Sequence, residues 1–166
     1  MGAQIEIKMA QDAAGFSVAK ELILEYVQWL GIDRNEQMRA TLSAQNFDKE
    51  MNSLAETYAD PDGRLFIAWS NDQAVGVAGI KRFNDEECEV KRMYVQPGSR
   101  GSGIGNLLLT ECIQAAKTLG YHGIKLDTAD FMKSAIKLYA AHGFVEIPAY
   151  RYNLHEEARY FELVLQ

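Results

Sequence analysis

The stretch from Glu89 to Gly105 reads Glu-Val-Lys-Arg-Met-Tyr-Val-Gln-Pro-Gly-Ser-Arg-Gly-Ser-Gly-Ile-Gly, and it constrains this chain more than any other part. It starts as a strand, breaks at Pro97-Gly98, and becomes glycine-rich where an apolar helical pattern begins. Arg100, Gly101, Gly103 and Gly105 sit on that break. A strand feeding a glycine-rich turn and then a helix N-terminus is a device for holding anions. Unpaired backbone N–H groups point outward there, and the helix dipole adds partial positive charge. With no Cβ in the way, a bulky phosphate can approach the main chain.

Several rival motifs share such glycines. A P-loop needs Lys and Ser/Thr after its closing glycine, whereas Gly103 is followed by Ile104-Gly105. A dinucleotide fingerprint needs a further glycine where Asn106 stands. Asp127 superficially mimics the ribose-binding acid of that fold, but too few strand–helix units follow. A glycine turn with no ligand remains the plain alternative, although glycines at a helix start cost stability when they serve no purpose.

The rest of the chain reads as one mixed unit over residues 1–166, a size with room for a real core. Ile5, Ile7 and Met9 alternate with polar residues over 3–9, as in a half-buried strand. Phe16, Ala19, Ile23, Tyr26, Val27 and Leu30 form the stripe of a helix from Asp12 to Leu30, with Gly31 as its stop. Residues 32–45 read as loop or weak helix. A second helix is expected from about Phe47 to Tyr58, ended by Asp60-Pro61-Asp62-Gly63.

Three strands joined by short turns follow, Leu65–Trp69, Ala74–Phe83 and Cys88–Val95, which predicts an antiparallel meander. Beyond the glycines come a helix stripe through Leu108, Cys112 and Ala116, a strand Gly123–Thr128, and a helix carrying Ala135, Ile136 and Tyr139. Phe144–Ile147 and Tyr160–Leu165 read as closing strands. The expected class is α/β (α+β), with a mainly antiparallel central sheet flanked by helices.

The net charge of −6 argues against a general nucleic-acid binder and suits a cationic or amine-bearing substrate. Cys88 and Cys112 show no CxxC or His/Cys clustering, so neither a disulfide framework nor a metal site is expected. Glu6 and Lys8 interrupt the first apolar stretch, unlike a signal peptide, and Leu22-Ile23-Leu24 is too short to span a bilayer. A cytoplasmic protein with no membrane association is the expectation.

Residues 87–145 resemble the GNAT superfamily of acyl-CoA-dependent N-acyltransferases. Arg100-Gly101-Ser102-Gly103-Ile104-Gly105 matches its Arg/Gln-x-x-Gly-x-Gly/Ala signature. Glu-Val-Lys-Arg-Met-Tyr-Val-x-Pro upstream looks like the family's fourth strand. Ala135-Ile136-Lys137-Leu138-Tyr139 and Gly143-Phe144 look like its Ala-x-x-Leu-Tyr…Gly-Phe segment. The resemblance implies a sheet splayed between the fourth and fifth strands, acetyl-CoA as co-substrate, and a primary amine of a small molecule or protein as acceptor. It also implies a pyrophosphate resting on Arg100, Gly101, Ser102, Gly103, Ile104 and Gly105. Pantetheine and acetyl carbonyl would lie along Met93, Tyr94 and Val95, where a backbone N–H would serve as oxyanion donor.

By the same resemblance Glu89 is the candidate general base, because a lysine-like amine with a pKa of about 10.4 must lose a proton before it attacks. An ion-paired strand glutamate beside Lys91 is the alternative. Tyr139 matches the tyrosine that the family uses to protonate the departing thiolate; an aromatic core residue is the alternative. One departure stands out. Many members carry Asn seven residues before that tyrosine, where this chain has Met132, and Ser134 is the candidate substitute. His142 at a helix end reads as a dipole partner, and His122 and His155 show no metal spacing. Tyr150, Arg151, Tyr152 and Asn153 are either a border of the acceptor site or an ordinary loop. The implied activity is direct acetyl transfer, with a homodimer as a family-level expectation. The competing class is a non-catalytic acyl-CoA-binding regulatory module.

Overall fold

The computed structural model describes residues 2–31, 36–44, 46–151 and 157–166. In chain order these form β1 (Ile5–Met9), α1 (Ala13–Trp29), α2 (Glu36–Ala44), α3 (Phe47–Met51), α4 (Leu54–Thr57), β2 (Arg64–Ser70), β3 (Gln73–Arg82) and β4 (Glu87–Val95). A 3₁₀ turn at Pro97–Ser99 precedes α5 (Ile104–Thr118), β5 (Gly123–Ala129), α6 (Lys133–Ala141), β6 (Val145–Ile147) and β7 (Ala158–Val164).

Within 32–45, which read as loop or weak helix, residues 36–44 form a helix, while 32–35 and 45 lie outside the described residues. One expectation changes. The single helix expected over Phe47–Tyr58 is two short ones. Between them Ser53 turns its hydroxyl back onto the Lys49 carbonyl, at 2.7 Å. A serine hydroxyl competes in this way with the helical ladder, and α3 ends at Met51.

Among the described residues one sheet runs in the order β1-β2-β3-β4-β5-β7-β6. All its neighbours are antiparallel except β4 and β5. Alternation along the strands divides the core into two layers. Cys88, Val90, Ile124, Leu126 and Phe161 face α5 and α6, with Leu108, Leu109, Cys112 and Ala116 packed on them. Leu65, Ile67, Val77 and Tyr94 face the other way, under Ala19, Leu22 and Ile23 of α1 and under Phe47, Met51, Leu54 and Tyr58. Each fully buried Leu or Ile contributes about 1.5–3 kcal/mol of transfer free energy. Asp12 starts α1 by accepting the Gly15 N–H at 2.7 Å, which fixes where that helix leaves β1.

The feature that makes a site is where β4 and β5 stop pairing. Their parallel ladder holds only Glu87 with Gly123, Cys88 with Ile124 and Glu89 with Lys125. Beyond Glu89, β4 pairs with β3 alone, and β5 continues against β7 as far as Ala129. A β-bulge sits in the free part of β4. Val77 opposes Tyr94 and Gly79 opposes Lys91, so Arg92 and Met93 share one place, and Arg92 takes a positive φ of 58°. The sheet is splayed between its fourth and fifth strands, as the resemblance implied.

Candidate active site

The splay opens a cleft of about 610 Å³. Its back is Met93, Tyr94 and Val95 of β4; one wall is Tyr26, Trp29 and Leu30 of α1. The facing wall is Phe131 to Ala135 with Leu138 and Tyr139 of α6, and Ser99, Arg100, Gly101, Gly103, Ile104 and Gly105 close one end. Of the residues singled out for the cofactor, Met93, Tyr94, Val95, Arg100, Gly101, Gly103, Ile104 and Gly105 line this space together. Ser102 lies in the same turn and donates its hydroxyl to the Ser99 carbonyl at 2.6 Å.

The turn has the conformation an anion cradle needs. Gly101 and Gly103 have φ of +81° and +83°, and a Cβ built on either would meet nothing within 4 Å. Gly103 is the N-cap of α5 and has no side chain to cap it. The first N–H groups of a helix have no partner within it, so they face the open space at this end. Arg100 does not extend outward. It donates from Nε to the Val95 carbonyl at 2.9 Å, and its guanidinium lies 4.3 Å from the Trp29 ring centroid. This stacking ties α1 to the turn.

Tyr139 is buried, with its phenol oxygen 3.9 Å from Met93 Sδ across the cleft. Its ring packs near Phe144 and Phe161. Burial pushes its pKa well up, and Tyr26, Cys112 and Asp127 push the same way. It is therefore a protonated donor over the whole physiological range. A thioether sulfur is only a weak acceptor, so the O–H keeps most of its donor capacity for a better partner.

Glu89 is placed differently. Cys88 and Val90 point into the α5 core, so Glu89 and Lys91 point to the opposite face of the sheet. Glu89 is 2% exposed and does not line the cleft. Its Oε2 accepts from Tyr150 at 2.8 Å and from Arg151, and stands 3.7 Å from Lys91 Nζ. Lys91 in turn reaches Asp127 Oδ1 at 3.3 Å. Burial lowers the Lys91 pKa, with Asp127 and Glu89 opposing. Burial works against the Asp127 carboxylate, but Lys91 and then Arg151 outweigh it and hold its pKa below the usual range. The acid and base candidates thus occupy opposite faces, and the gap between β4 and β5 lies where those faces communicate.

Met132 caps the N-terminus of α6, and its sulfur takes the Tyr26 hydroxyl at 3.9 Å and the Thr128 hydroxyl at 3.6 Å. Ser134 lines the same wall. Sequence reasoning assigned Tyr26 to the buried stripe of α1; the fold puts it in the cleft. Helical periodicity marks the face that loses water, and a cleft wall and a core have the same period. Trp29 was missed for a related reason, since it carries no local motif, and Asp127, weighed only as a mimic of a ribose-binding acid, turns out to be the partner of Lys91.

Cys88 and Cys112 are buried free thiols. Burial pushes Cys88 up to about 12 and Cys112 higher, so neither is a thiolate nucleophile. His142 ends α6 and its Nε2 is 2.7 Å from Asn106 Oδ1. Tyr152, Asn153 and His155 lie outside the described residues. Among the described residues no group of His, Cys, Asp and Glu is placed to hold a metal, and no helix is long and apolar enough to cross a membrane.

The acetyltransferase (GNAT) family profile matches residues 32–144. The chain belongs to that family. An uncharacterized N-acetyltransferase of Schizosaccharomyces pombe is 36% identical over 149 residues, which cover 89% of this chain and 85% of that protein. A GNAT-family acetyltransferase of Staphylococcus aureus superposes with a TM-score of 0.76 at 24% identity, covering 98% and 100% of the two chains. The PaiA N-acetyltransferase of Thermoplasma acidophilum, solved in complex with coenzyme A, superposes with a TM-score of 0.75 at 19% identity, covering 98% and 99%. These structural likenesses establish the fold. As a GNAT protein the chain is an acetyltransferase, and the splayed strands and glycine turn are the parts of the family architecture that its own sequence builds.

Proposed function

We propose that this chain transfers an acetyl group from acetyl-CoA directly to a primary amine of a small molecule or protein. The observation that carries the reading is the cleft itself. It joins an uncapped helix N-terminus at Gly101–Gly105 to an unpaired strand edge at Met93–Val95, with the Tyr139 hydroxyl in its wall. The glycine turn would hold the pyrophosphate on its N–H groups, and Arg100, stacked on Trp29, would fix the turn against α1. The free edge of β4 would hold the pantetheine and supply an N–H donor for charge developing on the thioester oxygen.

The amine nitrogen forms a bond to the thioester carbon and loses a proton, and the C–S bond then breaks. Glu89 is the proton acceptor in this reading, directly or through water. For that role its carboxylate must exchange the Tyr150 and Arg151 contacts for the acceptor or a water. Tyr139 donates its proton to the departing sulfur and is reprotonated from solvent. A phenol whose pKa is raised by burial is held in the form this step needs.

The test is release of free thiol from acetyl-CoA over a panel of amines. Thiol released in step with acetylated amine supports the transferase. Tight binding of acetyl-CoA with no turnover on any amine supports a regulatory acyl-CoA-binding module instead.

A further inference from the structure

The bulge in β4 decides which side chains of that strand reach the cleft. Cys88 and Val90 pack into the core under α5, and strict alternation would send residues 92 and 94 the same way. Instead Met93 and Val95 pack against that core, and Tyr94 belongs to the layer under α1. The parity of the strand is reversed at Arg92, the extra residue that shares one place with Met93 opposite β3. Without the reversal Met93 would turn away from Tyr139, and a guanidinium would point into the α5 core.

Arg92 is an unfavourable residue for this position. Its φ of 58° is the left-handed conformation that glycine adopts freely and a residue with a Cβ does not. Such a backbone persists where its surroundings over-determine it. Here they do so through Glu50 of α3, which is 5% exposed. Its Oε2 accepts from Arg92 Nε at 2.7 Å and from the Tyr58 hydroxyl at 3.2 Å. Its Oε1 accepts from Lys81 Nζ at 3.2 Å. The Arg92 guanidinium also lies 5.0 Å from the Phe47 ring centroid.

The partner strand is shaped to the same contact. A Cβ on Gly79, which opposes Lys91 beside the bulge, would stand 2.8 Å from both Tyr58 Cε1 and Leu65 Cδ1. A glycine there leaves the Tyr58 ring its place against the strand, and that phenol is the one that donates to Glu50. Helix α3, the end of α4, β3 and β4 thus converge on one carboxylate. A buried ion pair adds little net stability over apolar packing of equal volume. What it supplies in such a place is one fixed arrangement.

Resting on the proposed acyl transfer, we propose that Glu50 is a positioning residue for that reaction. Through Arg92 it holds the left-handed bulge. The bulge in turn presents Met93 to Tyr139 and leaves the Met93 end of β4 free to offer an N–H to the thioester oxygen. Glu50 itself does not line the cleft, so its effect on turnover passes through the strand.

The experiment is a double-mutant cycle in the full chain with Glu50→Gln and Arg92→Gly. Glu50→Gln keeps the volume and removes the charge that holds Arg92. Arg92→Gly takes a left-handed φ without steric cost, so the bulge no longer needs Glu50. Two quantities are read: kcat with acetyl-CoA and a responsive amine, and the methyl NMR resonance of Met93, assigned by its loss in Met93→Leu. Glu50→Gln alone should lower kcat by ~10-fold or more, part of the ~10²–10³ lost with one oxyanion donor. It should also move the Met93 resonance. Combined with Arg92→Gly, the same substitution should recover most of the lost kcat and return the resonance. Glu50→Asp, which keeps the charge but draws it back by one methylene, should act in the same direction and guards against a variant that misfolds. Thermal melts report folding of each.

If folded Glu50→Gln and Glu50→Asp keep the wild-type kcat and Met93 resonance, the positioning role is overturned. The same holds if the loss of kcat is as large alongside Arg92→Gly, since Glu50 then acts without the bulge. In both cases wild-type turnover leaves the transferase reading standing. If the wild type acetylates no amine, the transferase reading fails, and the Met93 resonance alone decides whether Glu50 sets the bulge.

Discussion

Tyr139 and Met93 face each other across the opening of the sheet, the phenol oxygen of α6 lying 3.9 Å from the thioether sulfur of β4. Hydroxyl and strand edge meet only because β4 and β5 have parted a few residues earlier, after Glu89. A thiolate leaving along the β4 edge would depart beside this O–H. Tyr139→Phe keeps the ring packing and removes the proton, so kcat should fall by about 10²-fold, as for loss of a general acid. The dissociation constant for CoA should change little. Steady-state kinetics with a responsive amine and a CoA titration check both, and unchanged turnover would remove Tyr139 from the mechanism.

Loss of the base should show a different pH signature. In Glu89→Gln the amine must arrive already neutral, and the neutral fraction of a lysine-like amine grows toward its pKa of about 10.4. Activity should be low at neutral pH and recover as pH rises. A uniform loss across the profile would instead assign Glu89 to holding Lys91, Tyr150 and Arg151 in place.

The alkaline limb follows from the buried phenols. Burial raises Tyr139 well above the ordinary tyrosine value and Tyr26 up to about 12. A raised folded-state pKa gives stability that is complete below the unfolded value, about 10, and lost as pH climbs through the folded one. The proton donor should therefore show no titration of kcat up to about pH 10. Above that, thermal unfolding should move to lower temperature. A fall in kcat near pH 8 that disappears in Tyr139→Phe would contradict this.

The buried Lys91–Asp127 pair works on the acid side. The Asp127 pKa is depressed, because Lys91 and Arg151 outweigh the effect of burial. Its contribution is present above the ordinary aspartate value of about 3.9 and is lost as pH falls through the folded value. Asp127→Asn strips the buried Lys91 of its nearer partner, leaving Glu89 at 3.7 Å. Urea denaturation at neutral pH should show a loss of about 3 kcal/mol, the low end for breaking a buried pair.

Gly103→Ala probes the anion turn. The added Cβ meets no atom, so the cost is confined to a left-handed backbone at φ +83°. Such strain is about 1–2 kcal/mol for an L-residue. If the turn relaxes to escape it, the N–H groups swing away and CoA binding weakens, by up to tenfold for each ~1.4 kcal/mol. CoA titration and thermal melts of the same variant separate the two effects.

Much of this was legible from local signals, and the reason is physical. A glycine turn before an apolar stripe carries its own conformation, so Arg100 to Gly105 and the helix behind them need no distant partner to be recognised. The same is true of the meander from Arg64 to Val95, whose turns lie between adjacent strands. Short helices near Asn52 and Ser53 were harder, because a side-chain bond to Lys49 decides where one stops. Tyr26 was harder still, since a helical stripe reports burial but not what it is buried against.

The amino-acid sequence by itself determined most of the elements, the glycine turn before α5 and the family. Tertiary structure decided the rest. It placed Glu89 under Tyr150 and Arg151, some sixty residues away, and set Tyr26 against Met132 across the cleft. It also chose where β4 and β5 separate. Local conformation follows from neighbours in the chain, whereas a cleft is made by strands and helices that touch only after the chain has closed long loops. No run of residues carries that information alone.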